Sequence, residues 1–215
     1  MRPDRPDGRA SLSRSRPRLW FPLHKFRVLG IASSTGGPGA LVQLLAGLGA
    51  DFPLPILVVQ HIAGSFLEGF ASWLEDVCPF SVEIVKDRSL TTRAKIYVAA
   101  QDLHLRAGNG FVRVDCGPPV CAQRPSGNVL FESMAAAYGC EALGVVLTGM
   151  GDDGAEGLLR IRQNGGHTIA EDESTAVVYG MPAEAVRLGA ALESLPLPAI
   201  GPRILELTDA RREVT

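Results

Sequence analysis

Two adjacent serines, Ser33 and Ser34, end a short apolar run over 28–31 and precede Thr35, Gly36 and Gly37. Leu41, Leu44, Leu45 and Leu48 follow at helical spacing, so the segment reads as strand, tight turn and helix. A hydroxyl on such a turn sits at the positive end of the helix, beside amides that have no partner within it. Three chemistries fit. The hydroxyls can cap the helix, the loop can hold a phosphate, or one serine can attack a carbonyl whose developing charge the amides receive. No lysine follows the glycines, and Gly30, Gly36 and Gly37 do not space as G-x-G-x-x-G, which weakens the phosphate reading. Ala32 stands where the first glycine of a G-x-S-x-G elbow belongs.

A serine nucleophile needs a base, and the base needs a carboxylate to fix its tautomer. His61 ends the apolar run over 55–60, and Asp152 and Asp153 follow the run over 142–147. Each has a plainer role available, as a structural hydrogen-bonder or as a turn residue before glycine. The histidines at 24, 61, 104 and 167 lack H-E-x-x-H spacing, and Asp152-Asp153-Gly154 lacks the alternating oxygens of a calcium loop. No metal and no cofactor are expected. The chain order Ser, His, Asp differs from that of the α/β-hydrolases.

The elements that must carry these residues alternate between strand and helix patterns from Phe26 onward. Apolar runs at 28–31, 55–60, 82–85, 95–99, 142–147 and 167–170 read as strands. The residues at 103–107 and 111–115 flank Gly108-Asn109-Gly110 and read as a hairpin. Helices are predicted after Gly37, from a Ser65–Glu68 capping box through Val77, over 128–138, through Leu158, Leu159 and Ile161, from Pro182 to Leu188, and over 202–212. The fold class is therefore α/β, a doubly wound and mostly parallel sheet with an inserted antiparallel hairpin and helices on both faces. Ligands in such sheets bind beyond the C-terminal strand ends, where Ser34, His61 and the aspartates all fall.

The composition, 46% hydrophobic and 20% charged, is that of a globular chain. A formal net charge of −2 gives no general attraction to nucleic acid or anionic lipid. No apolar stretch is long enough to span a bilayer. Cys78, Cys116, Cys121 and Cys140 have no C-x-x-C spacing and read as reduced cytoplasmic thiols, with a Cys116–Cys121 disulfide left open.

Several separated segments resemble the catalytic domain of the CheB-type chemotaxis methylesterases, in the same order. They are Ser33-Ser34-Thr35-Gly36-Gly37-Pro38, Val59-Gln60-His61, Tyr97-Val98-Ala99, Gly117-Pro118-Pro119-Val120, Arg124-Pro125-Ser126, 147–154 and Tyr179-Gly180-Met181-Pro182. The resemblance implies a cofactor-free serine hydrolase that removes methyl esters from glutamates on the cytoplasmic helices of chemoreceptors, with glutamine deamidation in some members. It implies Ser34 as nucleophile, His61 as base and Asp153 as its orienter, with Thr35 and Met150 beside the oxyanion and Arg124 against an acidic receptor segment. Successive side chains at a strand end point apart, so only one serine and one aspartate of each pair can face His61, and the motif register selects Ser34 and Asp153. Departures from the family pattern are Ala32 for glycine, Ser33 for alanine, and Ile62-Ala63 for Met-Pro.

Residues 1–25 are rich in Arg, Pro and Ser without apolar periodicity, which predicts a flexible basic tail ahead of a catalytic domain over 26–212. Twenty-five residues are too few for the family's N-terminal phosphoacceptor receiver domain, so a separate regulatory protein is the expected source of control. Deleting residues 1–24 is expected to leave ester turnover within a few-fold of the full chain, measured as kcat on a methyl-esterified peptide. A collapse of kcat in a correctly folded deletion would contradict this.

Overall fold

Strands that leave no polar side chain for a solvated face must be covered on both sides. The run Val28, Leu29, Gly30, Ile31, Ala32 is of this kind, and every residue of it is buried. The computed structural model describes residues 26–209; the predicted tail and residues 210–212 of the last predicted helix lie outside them. In chain order the elements are β1 (Val28–Ser33), α1 (Gly37–Leu48), β2 (Ile56–Gln60), α2 (Leu67–Val77), β3 (Ser81–Val85), β4 (Arg88–Leu90), β5 (Lys95–Ala99), β6 (His104–Gly108) and β7 (Phe111–Asp115). They continue as α3 (Gly127–Tyr138), β8 (Ala142–Val146), α4 (Ala155–Gln163), β9 (His167–Glu171), α5 (Met181–Arg187), β10 (Glu193–Leu195) and α6 (Leu197–Thr208).

Seven strands form one parallel sheet in the order β10-β9-β8-β1-β2-β5-β3. The predicted hairpin is β6–β7, and it belongs to a separate antiparallel sheet, β4-β7-β6, rather than to the main one. Alternate residues of each strand feed two cores. Leu29, Ile31, Ile56, Val58, Leu143 and Val145 pack with Leu41, Leu44, Phe70, Leu74, Ile200 and Ile204 of α1, α2 and α6. Val28, Ala32, Leu57, Val59 and Val146 pack with Leu130, Phe131, Leu158, Ile161 and Ala185 of α3, α4 and α5. Because α1 after β1 and α4 after β8 lie on opposite faces, the strand order turns between β1 and β8. That switch point is where a doubly wound sheet opens a crevice.

Two local expectations are corrected. Ser65 does not cap α2; residues 64–66 form a 3-10 turn, and the helix starts at Leu67 with Phe66 before it and no side-chain cap. The last helix begins at Leu197 and carries Pro202 inside it. An interior proline costs about 3 kcal/mol, but Leu197, Ile200 and Ile204 are buried, and burying such side chains contributes roughly 1.5–3 kcal/mol each. The three-residue strands β4 and β10 were not anticipated. All four cysteines are free, Cys116 and Cys121 included.

Helices α3 and α4 approach closely because residue 157 has no side chain. A Cβ there would stand 2.6 Å from the Asn128 carbonyl oxygen and 2.8 Å from its Cα, both backbone atoms that cannot swing aside. Gly47, exposed on α1, has open space in its place. Gly157→Ala is therefore expected to lower the unfolding free energy by about 1–3 kcal/mol through overpacking, while Gly47→Ala raises it by up to ~1 kcal/mol through helix propensity. Urea melts of both variants check the opposite signs.

Candidate active site

The register of the central strands brings the candidate residues together. Ser33 pairs with Gln60 across β1 and β2, so Ser34 and His61 are each one residue past a paired position, on strands about 4.8 Å apart. The His61 amide donates to the Ser33 carbonyl at 3.0 Å, and the Ser34 amide donates to the Thr148 carbonyl at 3.0 Å. Ser34 is thus held between the ends of β2 and β8.

The two serines separate by environment. Ser33 is fully buried, and its hydroxyl donates to Gln60 Oε1 at 2.7 Å. Ser34 is half-buried. Gln60 also donates through Nε2 to the carbonyls of Ser34 and His61, each at 2.9 Å, so one amide side chain ties both segments. Gly36 turns the chain into α1 at φ 81°, the left-handed region that favours glycine. At Gly37 a Cβ would lie 2.1 Å from Gln60 Oε1, so the amide clamp requires glycine there. Ala32 fits where the family resemblance led us to expect glycine because position 127, against it, is itself a glycine: a Cβ at 127 would lie 2.8 Å from that of Ala32.

Asp153, and not Asp152, reaches the histidine. Asp152 is exposed, whereas Asp153 is 2% exposed with Oδ2 at 2.8 Å from His61 Nε2. Asp153 Oδ1 accepts from the Ser126 hydroxyl at 2.6 Å and the Asn128 amide at 3.1 Å, and Oδ2 accepts from the Gly127 amide at 2.6 Å. Those two amides open α3, and Ser126 caps the same helix by accepting from the Val129 amide at 3.5 Å. Burial pushes the Asp153 carboxyl up, but the bonds from His61, Ser126, Gly127 and Asn128 outweigh it and hold the group below the usual carboxylate range. An ionised carboxylate accepts only, so His61 presents its proton on Nε2. Its Nδ1 is buried without a partner, and in the neutral ring this nitrogen carries the lone pair. The Ser34 hydroxyl is not hydrogen-bonded to the ring in this structure; catalytic contacts of this kind often tighten only around substrate.

Beyond Ser34 two amides are available. Among the described residues the Thr35 and Met150 amides have no acceptor, and both residues are exposed. Gly149 brings the second one close: a Cβ on it would lie 2.7 Å from Ser34 Cβ and 3.1 Å from Ser34 N. Thr148 anchors this loop, its hydroxyl donating to the Thr35 carbonyl at 2.9 Å. Arg124 lies to the side, where its Nη1 donates to the Gly117 carbonyl at 3.2 Å and its buried Nε has no partner. It lines a cavity with Gln60, Ile62, Gln101 and Asp102.

Competing groups fall away. His104 is a structural histidine, accepting from the Ser126 amide at Nδ1 and donating to the Pro118 carbonyl from Nε2. His167 pairs with Glu193 at the far side of the sheet, at 2.6 Å. Desolvation first, and then the charges of Asp152 and Asp153, push the Cys121 thiol up to about 11, which denies it a thiolate. Gln60, Ser126, Thr148 and Glu171, which pairs with the Thr148 amide, received no role from sequence. Ser126 carried a signal, a serine just before a helix, and Gln60 and Thr148 lay within the motifs.

The family model described as CheB methylesterase matches residues 29–204. A protein-glutamate methylesterase/protein-glutamine glutaminase 2 of Paramagnetospirillum magneticum is 53% identical over 201 residues, covering 94% of this chain and 55% of that protein. The protein-glutamate methylesterase FrzG of Myxococcus xanthus is 42% identical over 185 residues, covering 86% and 55%. The chain thus spans about half the length of these curated relatives. The crystal structure of the Thermotoga maritima CheB methylesterase catalytic domain superposes with a TM-score of 0.79 at 34% identity, covering 85% of this chain and 98% of that one. By fold, by matched length and by identity, this chain belongs to the CheB methylesterase family.

Proposed function

We propose that the chain is a protein-glutamate methylesterase, a serine hydrolase acting on methylated glutamates of chemoreceptor cytoplasmic helices. The observation that carries the reading is the buried Asp153–His61 pair at the strand switch point, with an unpartnered Nδ1 on the strand next to Ser34. The Ser34 hydroxyl attacks the ester carbonyl while its proton passes to His61 Nδ1. Asp153 stabilises the imidazolium. The tetrahedral oxyanion is received by the Thr35 and Met150 amides, and such donors contribute about 2.7–4 kcal/mol each in a comparable enzyme. Collapse breaks the C–O bond, and His61 returns the proton to release methanol. Water, activated by the same nitrogen, then hydrolyses the acyl-enzyme to glutamate and free Ser34.

A glutamine side chain gives the same acyl-enzyme with ammonia as the leaving group, in keeping with the glutaminase in the relatives' names. Arg124, which lines the cavity beside Gln60, would receive an acidic group of the receptor segment. No helix among the described residues is long and apolar enough to cross a membrane, and a cytoplasmic location suits a substrate on cytoplasmic helices.

The neighbours distinguish the assignment. With kcat measured on a methyl-esterified receptor peptide, Ser34→Ala is expected to leave only residual turnover. Asp153→Asn is expected to lose roughly 10⁴-fold, as in a serine protease whose imidazole is held in the wrong tautomer. Ser33→Ala and Asp152→Asn keep most of the activity. A dead Ser33→Ala beside an active Ser34→Ala would move the nucleophile by one residue, and activity in both would reject it. Fluorophosphonate labelling followed by peptide mapping gives an independent reading of the modified serine.

A further inference from the structure

Glu171 has no part in the mechanism above, yet it is fully buried at the end of β9. Among the described residues no Lys, Arg or His forms an ion pair with it. An uncompensated carboxyl in such a place is costly, so its bonds define its use. Oε2 accepts from the Thr148 amide at 2.7 Å, and Oε1 accepts from the Thr175 hydroxyl at 3.1 Å. Thr175 in turn accepts from the Leu197 amide at the start of α6, at 2.9 Å.

Thr148 is the residue on which the nucleophile loop rests. Its carbonyl accepts from the Ser34 amide, its hydroxyl donates to the Thr35 carbonyl and accepts from the Val178 amide at 2.9 Å, and its successor Gly149 lies against Ser34. We propose that Glu171 is a positioning residue: it fixes the Thr148 amide and, through Thr148, the peptide units that present Ser34 and the Thr35 and Met150 amides. An oxyanion donor works only when it is aimed at the position the oxygen takes in the transition state. A loosened Thr148 therefore lowers kcat while leaving ground-state binding nearly unchanged.

The role requires an acceptor and not a charge. Burial pushes the Glu171 carboxyl up, against the bonds from Thr148 and Thr175, and a negative charge behind the oxyanion would oppose the reaction. A glutamine satisfies the same partners. Its Oε1 accepts from Thr148, its Nε2 donates to Thr175, and the Thr175 hydroxyl turns to the Asp172 carbonyl it already approaches at 3.4 Å.

The inference rests on the methylesterase reading, and the test separates the two by measuring kcat, KM and the rate of fluorophosphonate labelling at Ser34. Glu171→Gln is expected to stay within about threefold of the parent, and Glu171→Leu, which keeps the volume without the acceptor, to lose roughly 10- to 100-fold in kcat and in labelling rate with KM nearly constant. A parent that neither hydrolyses ester nor labels would sink the methylesterase reading. An active parent matched by Glu171→Leu would overturn the Glu171 role alone. A change confined to KM, or equal losses in Gln and Leu variants, would overturn it too. Should Glu171→Leu not fold, Thr175→Val decides: a several-fold loss of kcat restored by Thr175→Ser supports the role, and an unchanged kcat overturns it.

Discussion

Taking a carboxylate out of water is expensive unless other groups replace the water. At Asp153 the replacement is nearly complete: a hydroxyl, two amides of the first turn of α3, and the His61 ring. The helix terminus supplies partial positive charge as well as donors. This arrangement constrains much of the domain. α3 must start at Gly127 under the end of β8, and Asn128 must lie against α4, where its side chain accepts from the Gly157 amide at 2.8 Å. The small Gly157 and Gly127 follow from those approaches. A carboxylate satisfied this way stays ionised and immobile, which an orienter of imidazole requires.

The charge pattern around the crevice is divided accordingly. Asp153 lies on the inner side of His61, buried and held low. Glu171 lies behind the nucleophile loop, equally buried and pushed up. Two carboxyls at neighbouring strand ends thus have opposite tendencies, set by three donors and a ring in one case and two donors in the other. The local environment, rather than residue type, divides their roles.

The sheet was legible because buried parallel strands read as unbroken apolar runs, and the switch point followed once those strands were ordered. What sequence reading missed was set by tertiary contact. β4 has only the exposed Arg88 and Leu90 about Ser89, a pattern with no buried face; it forms because β7 offers an edge, with Arg88 stacked 3.9 Å over the Phe111 ring. Pro202 reads as the beginning of α6, while Leu197 and Ile200 before it are held by the core beneath. Ser65 had the pattern of a cap, but a 3-10 turn occupies its place. At the crevice, motif register and strand-end position point to Ser34, His61 and Asp153, and burial and bonding separate Ser34 from Ser33 and Asp153 from Asp152, while their catalytic roles belong to the proposed function. Glu171 left no trace, since an acidic residue at the end of a short strand ordinarily meets solvent. Here the segment over 172–178 and α6 fold across it.

The pairing of β1 with β8 has a consequence for biogenesis. Val28 pairs with Ala142 and Ala32 with Val146, partners more than a hundred positions apart, and such non-local pairing is slow to form. During synthesis Ser34 and His61 emerge on adjacent strands long before β8, α3 and Asp153 exist. A partly made chain therefore holds a serine and a histidine but neither the carboxylate that orients the ring nor the loop that carries Met150. Under the proposed mechanism, such a chain lacks both the orienter of the ring and one oxyanion amide until β8 has paired with β1.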